Sequence, residues 1–147
     1  MAESLKLRVK GVAFHTGSGG VKFSSYESSI TNARKIFDMA VEMGMQPMDL
    51  LDIGGGFTLI LPHSSKNFDE VAPSINGLIE QLFPDPSVRV IAEPGRYICE
   101  SVVYLASCII GQKTLDSGNR HYYLNNGIYQ GYMVRQFGED MEVEPLD

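Results

Sequence analysis

The chain has 147 residues, of which 44% are apolar, enough for one domain with a real core. Twelve basic and eighteen acidic side chains leave a net charge of −6, and no Lys/Arg block appears, which speaks against a nucleic-acid footprint. The opening MAESLKLRVK has no apolar signal core, and the longest apolar run, Val102–Ala106 extending to Ile110, is short of the roughly 20 residues that span a bilayer. Cys99 and Cys108 lack metal or redox spacing, so a cytoplasmic protein with reduced structural thiols and no membrane partner is expected.

Val9–Phe14 is a short apolar run ending at His15 and followed by TGSGG, as expected for a strand feeding a glycine-rich turn. Ser24 and Glu27 have the form of a capping box, with Ser24 as N-cap. Ile30, Ala33, Phe37, Ala40/Val41 and Gly44 then recur at helical spacing, and Pro47 blocks continuation. Met48–Ile53 is a second apolar run that breaks into Gly54-Gly55-Gly56, and residues 58–66 have the look of a loop. A second helix is predicted over Phe68–Phe83. Pro73 inside it costs about 3 kcal/mol, so the helix proper is expected to begin there, or to kink. Val88–Ala92 is a third strand, apolar enough to be buried on both faces, and it delivers Glu93 and Arg96 at its tip.

This strand–helix alternation with near-continuous apolar strands is the mark of parallel βαβ units. Each strand ends in glycine and polar residues, in HTGSGG, DIGGGF and EPGR. Polar residues gathered at the carboxyl ends of parallel strands mark the ligand face of an α/β fold. After residue 100 the pattern changes. Tyr97–Ile110 and His121–Leu124 predict antiparallel strands separated by a turn at Thr114–Asn119, and Gly127–Phe137 continues that style. The expected organisation is thus an α/β part over 1–100 and the start of a β-type domain over 101–147. Three parallel strands close no barrel, and Leu5 and Leu7 resemble the tail of a helix, so an internal piece of a larger protein is expected.

His15 can be a satisfied structural side chain, but on the ligand face its flat ring could stack on a planar ligand. Gly17–Gly20 and Gly54–Gly56 can present backbone N–H groups to a phosphate, although a glycine cluster is more often only a tight turn. Glu93 and Arg96 can be an ion pair closing a turn. Alternatively, a carboxylate at a buried strand tip needs a cationic partner, which a protonated pyridine nitrogen would supply, leaving Arg96 for a phosphate. Together these residues match the ends and one face of pyridoxal phosphate; phosphosugar barrels would have no need for Glu93. His63 and His121 are expected to be solvated, and no histidine pair has metal spacing.

GVAFHTGSG, LLDIGGGF and IAEPGR, in that order, resemble the pyridoxal-phosphate-dependent ornithine/diaminopimelate/arginine decarboxylase family. NARKIFDMA, LASCIIGQK and YYLNNGIYQGY extend the similarity over nearly the whole chain, and the wording leans toward the ornithine branch. The resemblance implies the C-terminal part of an eight-stranded α/β barrel, then a β-sandwich-like domain, in a head-to-tail homodimer. It implies that His15 stacks on the cofactor ring, that Ser18, Gly55 and Gly56 contact the phosphate, that Glu93 meets the pyridine nitrogen and that Gly95 and Arg96 hold the phosphate. The implied activity is decarboxylation of a basic amino acid, ornithine to putrescine and carbon dioxide, in polyamine biosynthesis.

Some family features have no match here. No lysine of this chain stands in the family's Schiff-base motif, and neither Cys99 nor Cys108 lies in the substrate motif donated across the dimer, so the chain alone is expected to be inactive. Where relatives carry a substrate-binding Tyr-Asp pair, this chain has Gly138, with Asp140 or Glu139 as substitutes. Thr58-Leu59 replaces the usual Pro-Gly after GGGF. The alternatives are decarboxylation of arginine, lysine or diaminopimelate, a non-catalytic regulator like antizyme inhibitor with antizyme as its partner, or a stand-alone phosphate-binding module.

Overall fold

The computed structural model describes residues 2–18, 22–57, 68–99, 102, 104–132 and 143–146. The chain divides into two compact units, Met1–Val102 and Val103–Asp147. The first opens with a 3-10 turn over Glu3–Leu5 and carries the strands β1 (Gly11–Ala13), β2 (Leu50–Asp52) and β3 (Arg89–Ile91). They form one parallel sheet in the order β1-β2-β3, with Gly11, Leu50 and Arg89 in one row, then Val12, Leu51 and Val90, then Ala13, Asp52 and Ile91. Parallel neighbours need a crossover, and α1 (Phe23–Glu42) and α2 (Phe68–Leu82) supply them. The strands are shorter than the apolar runs, but hydrogen bonds from Asp49 N–H to Lys10 O and from Phe14 N–H to Asp52 O carry the pairing one step further at each end.

The core forms where α1 and α2 cover one sheet face. Tyr26, Ile30, Ala33, Phe37 and Ala40 line the inward stripe of α1 and are all buried. The first four pack with Leu51, Ile53, Phe57, Val71, Ile75 and Phe83. Phe37 meets Phe83 edge-on at 5.1 Å, and the Arg34 guanidinium lies over both rings while pairing with Asp38 at 2.6 Å. Val41 is on the outer face of α1 and exposed. The helix ends as expected at Gly44, in a Schellman motif: Gly44 (φ +69°) donates to Val41 O and Met45 donates to Ala40 O.

Several expectations are corrected. The capping box does not form: α1 starts at Phe23 with Lys22 as N-cap and no side-chain cap. Phe23 packs against the core three residues before Tyr26, and that contact draws the first turn forward past Ser24. Helix α2 begins at Phe68 and takes Pro73 inside it. Its first turn is held by Phe68, which lies 4.5 Å from the Phe57 ring and 5.4 Å from the Tyr97 ring, and by buried Val71. Strand β3 is not buried on both faces; it is a sheet edge on which Arg89 and Val90 are exposed. Tyr97 does not begin a strand. Arg96–Cys99 is a short helix, α3, because Gly95 O accepts the Ile98 and Cys99 N–H groups and Tyr97 is drawn onto Phe68 and the Asp69 carboxylate.

The second unit is an antiparallel pair, β4 (Ile109–Thr114) and β5 (Arg120–Leu124), with an irregularity between Ile109 and Gly111. The predicted turn between them is present, with Leu115 N–H donating to Asn119 O at 2.8 Å and Gly118 at φ +83°. The expected continuation after Gly127 is a turn, in which Gln130 and Tyr132 donate to Gly127 O; residues 133–137 lie outside the described residues. Cys99 and Cys108 are free and exposed. Among the described residues, no helix is long and apolar enough to cross a membrane.

At the amino ends of the strands, Arg8 and Lys10 each reach the Asp49 carboxylate at 2.7 Å. The Lys10 hydrogen bond is the main reason that its pKa is lowered; the charges of both cations act in the same direction, against some desolvation. A carboxyl depressed on folding adds stability above its unfolded value, and that stability is lost as pH falls through the folded value. Asp49→Asn should therefore lower the melting temperature at pH 7, with a difference that shrinks in acid below the ordinary carboxylate range of about 4. Leu51→Ala, at a fully buried position on the central strand, should cost about 2–5 kcal/mol in urea unfolding.

Candidate functional site

Because the three strands are parallel, the loops that leave them meet at one edge of the sheet. Hydrogen bonds join the loops in sequence. Phe14 N–H donates to Asp52 O at 3.1 Å, Ile53 N–H to Ile91 O at 2.9 Å, and Glu93 N–H to Gly54 O at 2.7 Å. The triglycine segment is therefore threaded between the loop after β1 and the loop after β3.

That threading leaves no room for a side chain. A Cβ on Gly54, which also has φ +65°, would collide with the Phe14 carbonyl. One on Gly55 would stand 2.6 Å from Glu93 O and 3.4 Å from His15 Nε2, and one on Gly56 would strike Gly17 O. The glycines are required by close approach of backbone from both sides.

His15, Gly55 and Glu93 thus converge. Gly17 N–H donates to His15 Nδ1 at 2.8 Å, so Nδ1 is an acceptor and the network assigns the ring proton to Nε2, on the side of Gly55. The His15 ring is exposed, as is Ser18 three residues on. Glu93 is exposed as well, which corrects the expectation of a desolvated carboxylate: β3 is an edge strand, and solvent reaches its tip. Gly95 is open on the side where a Cβ would stand, and Arg96 is half-buried at the start of α3. Asp140, Glu139, Gly138 and His63 lie outside the described residues, and His121 is exposed on β5. Among the described residues, no group of three or more His, Cys, Asp or Glu side chains could hold a metal ion.

Two residues to which the sequence motifs gave no role support the turn from within. Asp52, 9% exposed, accepts the Gly54 N–H at 2.8 Å through Oδ1. An aspartate two residues ahead of a glycine is the signal for such a turn. Tyr26, fully buried and stacked on Phe57 at 5.7 Å, donates its hydroxyl to Gly55 O at 3.3 Å. Burial raises the Tyr26 pKa against a smaller opposing effect of the Thr16 hydroxyl, so the phenol stays protonated.

The pyridoxal-binding domain of pyridoxal-dependent decarboxylases matches residues 1–100. This chain belongs to that family. It is 42% identical over 130 residues to an ornithine decarboxylase of Schizosaccharomyces pombe, covering 88% of this chain and 28% of that protein. It is 40% identical over 144 residues to antizyme inhibitor 2 of Xenopus laevis, covering 90% of this chain and 31% of that protein. Among solved structures it is similar to the lysine/ornithine decarboxylase of Vibrio vulnificus in complex with cadaverine, with TM-score 0.77 and 32% identity over 95% of this chain and 37% of that one. The chain thus spans about a third of the length of these relatives.

Pyridoxal phosphate is the cofactor of this decarboxylase family, and the residues present fit it. The triglycine turn carries no side chain, and the His15 ring and the Glu93 backbone stand beside Gly55; successive glycine amides of this kind can take a phosphate. Gly55→Ala should force the Glu93 loop away, at a cost of about 1–3 kcal/mol in urea unfolding. An unchanged unfolding midpoint would contradict the close approach.

Proposed function

We propose that this chain is the cofactor-holding portion of a basic amino-acid decarboxylase that acts on ornithine, releasing putrescine and carbon dioxide in polyamine biosynthesis. The observation that carries it is the convergence of His15, Gly55 and Glu93 beside a turn without side chains. In this proposal the first unit, residues 1–100, is a sector of an eight-stranded α/β barrel. Residues 101–147 open a β-sandwich-like domain, and the complete protein is a cytoplasmic homodimer. Ornithine is favoured by the identity to the S. pombe enzyme, while the V. vulnificus structure makes lysine the nearest competing substrate.

When bound, pyridoxal phosphate supplies an electron-withdrawing ring that takes up the charge left behind as a carboxylate departs. The residues here bind and orient it. The His15 imidazole, held by the Gly17 N–H, would stack on the cofactor ring. The Glu93 carboxylate would pair with the pyridine nitrogen and keep it protonated, which would keep the ring electron-poor. Amides of Gly55, Gly56 and Gly95, the Ser18 hydroxyl and the Arg96 guanidinium would hold the phosphate. Asp140 is assigned to the distal amine of the substrate.

A second reading is favoured by the 40% identity to antizyme inhibitor 2, namely a regulator that engages antizyme without catalysis. Such a protein has no need of Glu93 or of a glycine turn free of side chains.

Titration of the 147-residue chain with pyridoxal phosphate, followed by absorbance, separates the two. The decarboxylase reading expects weak saturable binding, with no borohydride-trapped adduct at any one lysine. Glu93→Ala should weaken binding roughly ten- to hundred-fold, the range for a hydrogen bond to a charged group worth about 1.5–3 kcal/mol. No binding, or equal binding by the variant, would count against it, and antizyme capture without cofactor binding would favour the regulator.

A further inference from the structure

We infer that Tyr26 and Asp52 are positioning residues that clamp the triglycine turn from beneath and so aim its amides at an anion. This rests on the reading of that turn as the cofactor's phosphate cradle.

The peptide unit is planar and trans, so fixing a carbonyl fixes the N–H of the next residue on the opposite side. Glu93 N–H holds Gly54 O, and that turns the Gly55 N–H away from the β3 loop. The Tyr26 hydroxyl holds Gly55 O, and that turns the Gly56 N–H away from the helix-covered core in which Tyr26 is buried. The Asp52 carboxylate holds the Gly54 N–H and sets where the turn begins. Each of the two side chains thus acts through a hydrogen bond to turn backbone.

Asp52 has a poor location for anything except such a role. It sits on the central strand, in the row with Ala13 and Ile91, and is 9% exposed. A carboxylate there carries a desolvation cost that a valine would not. Its negative charge, close to the turn, also opposes an anion. What it contributes must therefore be geometric, and an uncharged side chain of the same shape should do as well or better. Tyr26 is argued in the same way: a phenylalanine would keep the stack on Phe57 and lose only the hydroxyl.

The test uses the full chain and its Tyr26→Phe, Asp52→Asn and Asp52→Ala variants. Amide hydrogen exchange and chemical shifts are read at Gly54, Gly55, Gly56 and Glu93 without ligand. Affinities are then read for pyridoxal phosphate and for pyridoxal, which lacks the phosphate. Tyr26→Phe and Asp52→Ala should shift and speed exchange at the glycine amides. They should weaken pyridoxal phosphate roughly five-fold, the loss of one hydrogen bond of about 1 kcal/mol, while leaving pyridoxal unchanged. Asp52→Asn, whose amide oxygen still accepts, should match the parent or bind the phosphate form more tightly. The inference is overturned if the glycine amides are unmoved in Tyr26→Phe and Asp52→Ala. It is also overturned if both ligands weaken together, or if Asp52→Asn fails as badly as Asp52→Ala while folded. Should the parent chain bind neither ligand, the cofactor reading falls, and the ligand-free amides still decide the clamp.

Discussion

The constraint on which the rest of the site depends is the absence of three β-carbons. At Gly54, Gly55 and Gly56, backbone from the loops after β1 and β3 comes within a distance that no side chain tolerates. Only that approach lets Glu93 N–H reach Gly54 O and brings the His15 ring to Gly55. The parallel sheet supplies the other half of the arrangement, since it sends all three loops out at one edge. Helix packing on the far face then fixes the strands, through a core that runs from Tyr26 and Leu51 to Phe83.

Charge is distributed to suit. At the amino ends of the strands, Asp49 is neutralised by Arg8 and Lys10, which ties β1 to β2 without reference to any ligand. At the carboxyl ends, Glu93 is exposed to solvent and Asp52 is tucked under the turn. The two carboxylates differ in use for that reason. Glu93 can meet a cation from outside, whereas Asp52 faces a backbone N–H within the protein.

The alternation of strand and helix was legible because apolar periodicity reports burial, and two consecutive glycine clusters at strand ends marked the ligand edge. Helix starts were less legible. Ser24 had the right composition for a cap, but the packing of Phe23 overrode it, and Pro73 was tolerated because aromatic contacts of Phe68 hold the turn before it. The run after Arg96 was apolar and β-branched, yet Tyr97 found Phe68 and Asp69 first and made a helical turn. Tyr26 has no local signal, since its hydrogen bond spans 29 residues, whereas the Asp52 contact spans only 2 and was legible in the Asp-x-Gly spacing.

Hydrogen–deuterium exchange of the full chain with and without pyridoxal phosphate most directly tests whether three loops form one cofactor site. Protection should rise together at residues 15–18, 54–56 and 93–96 and stay unchanged in β4 and β5. Protection confined to one loop, or absent from all three at saturating cofactor, would contradict a shared site.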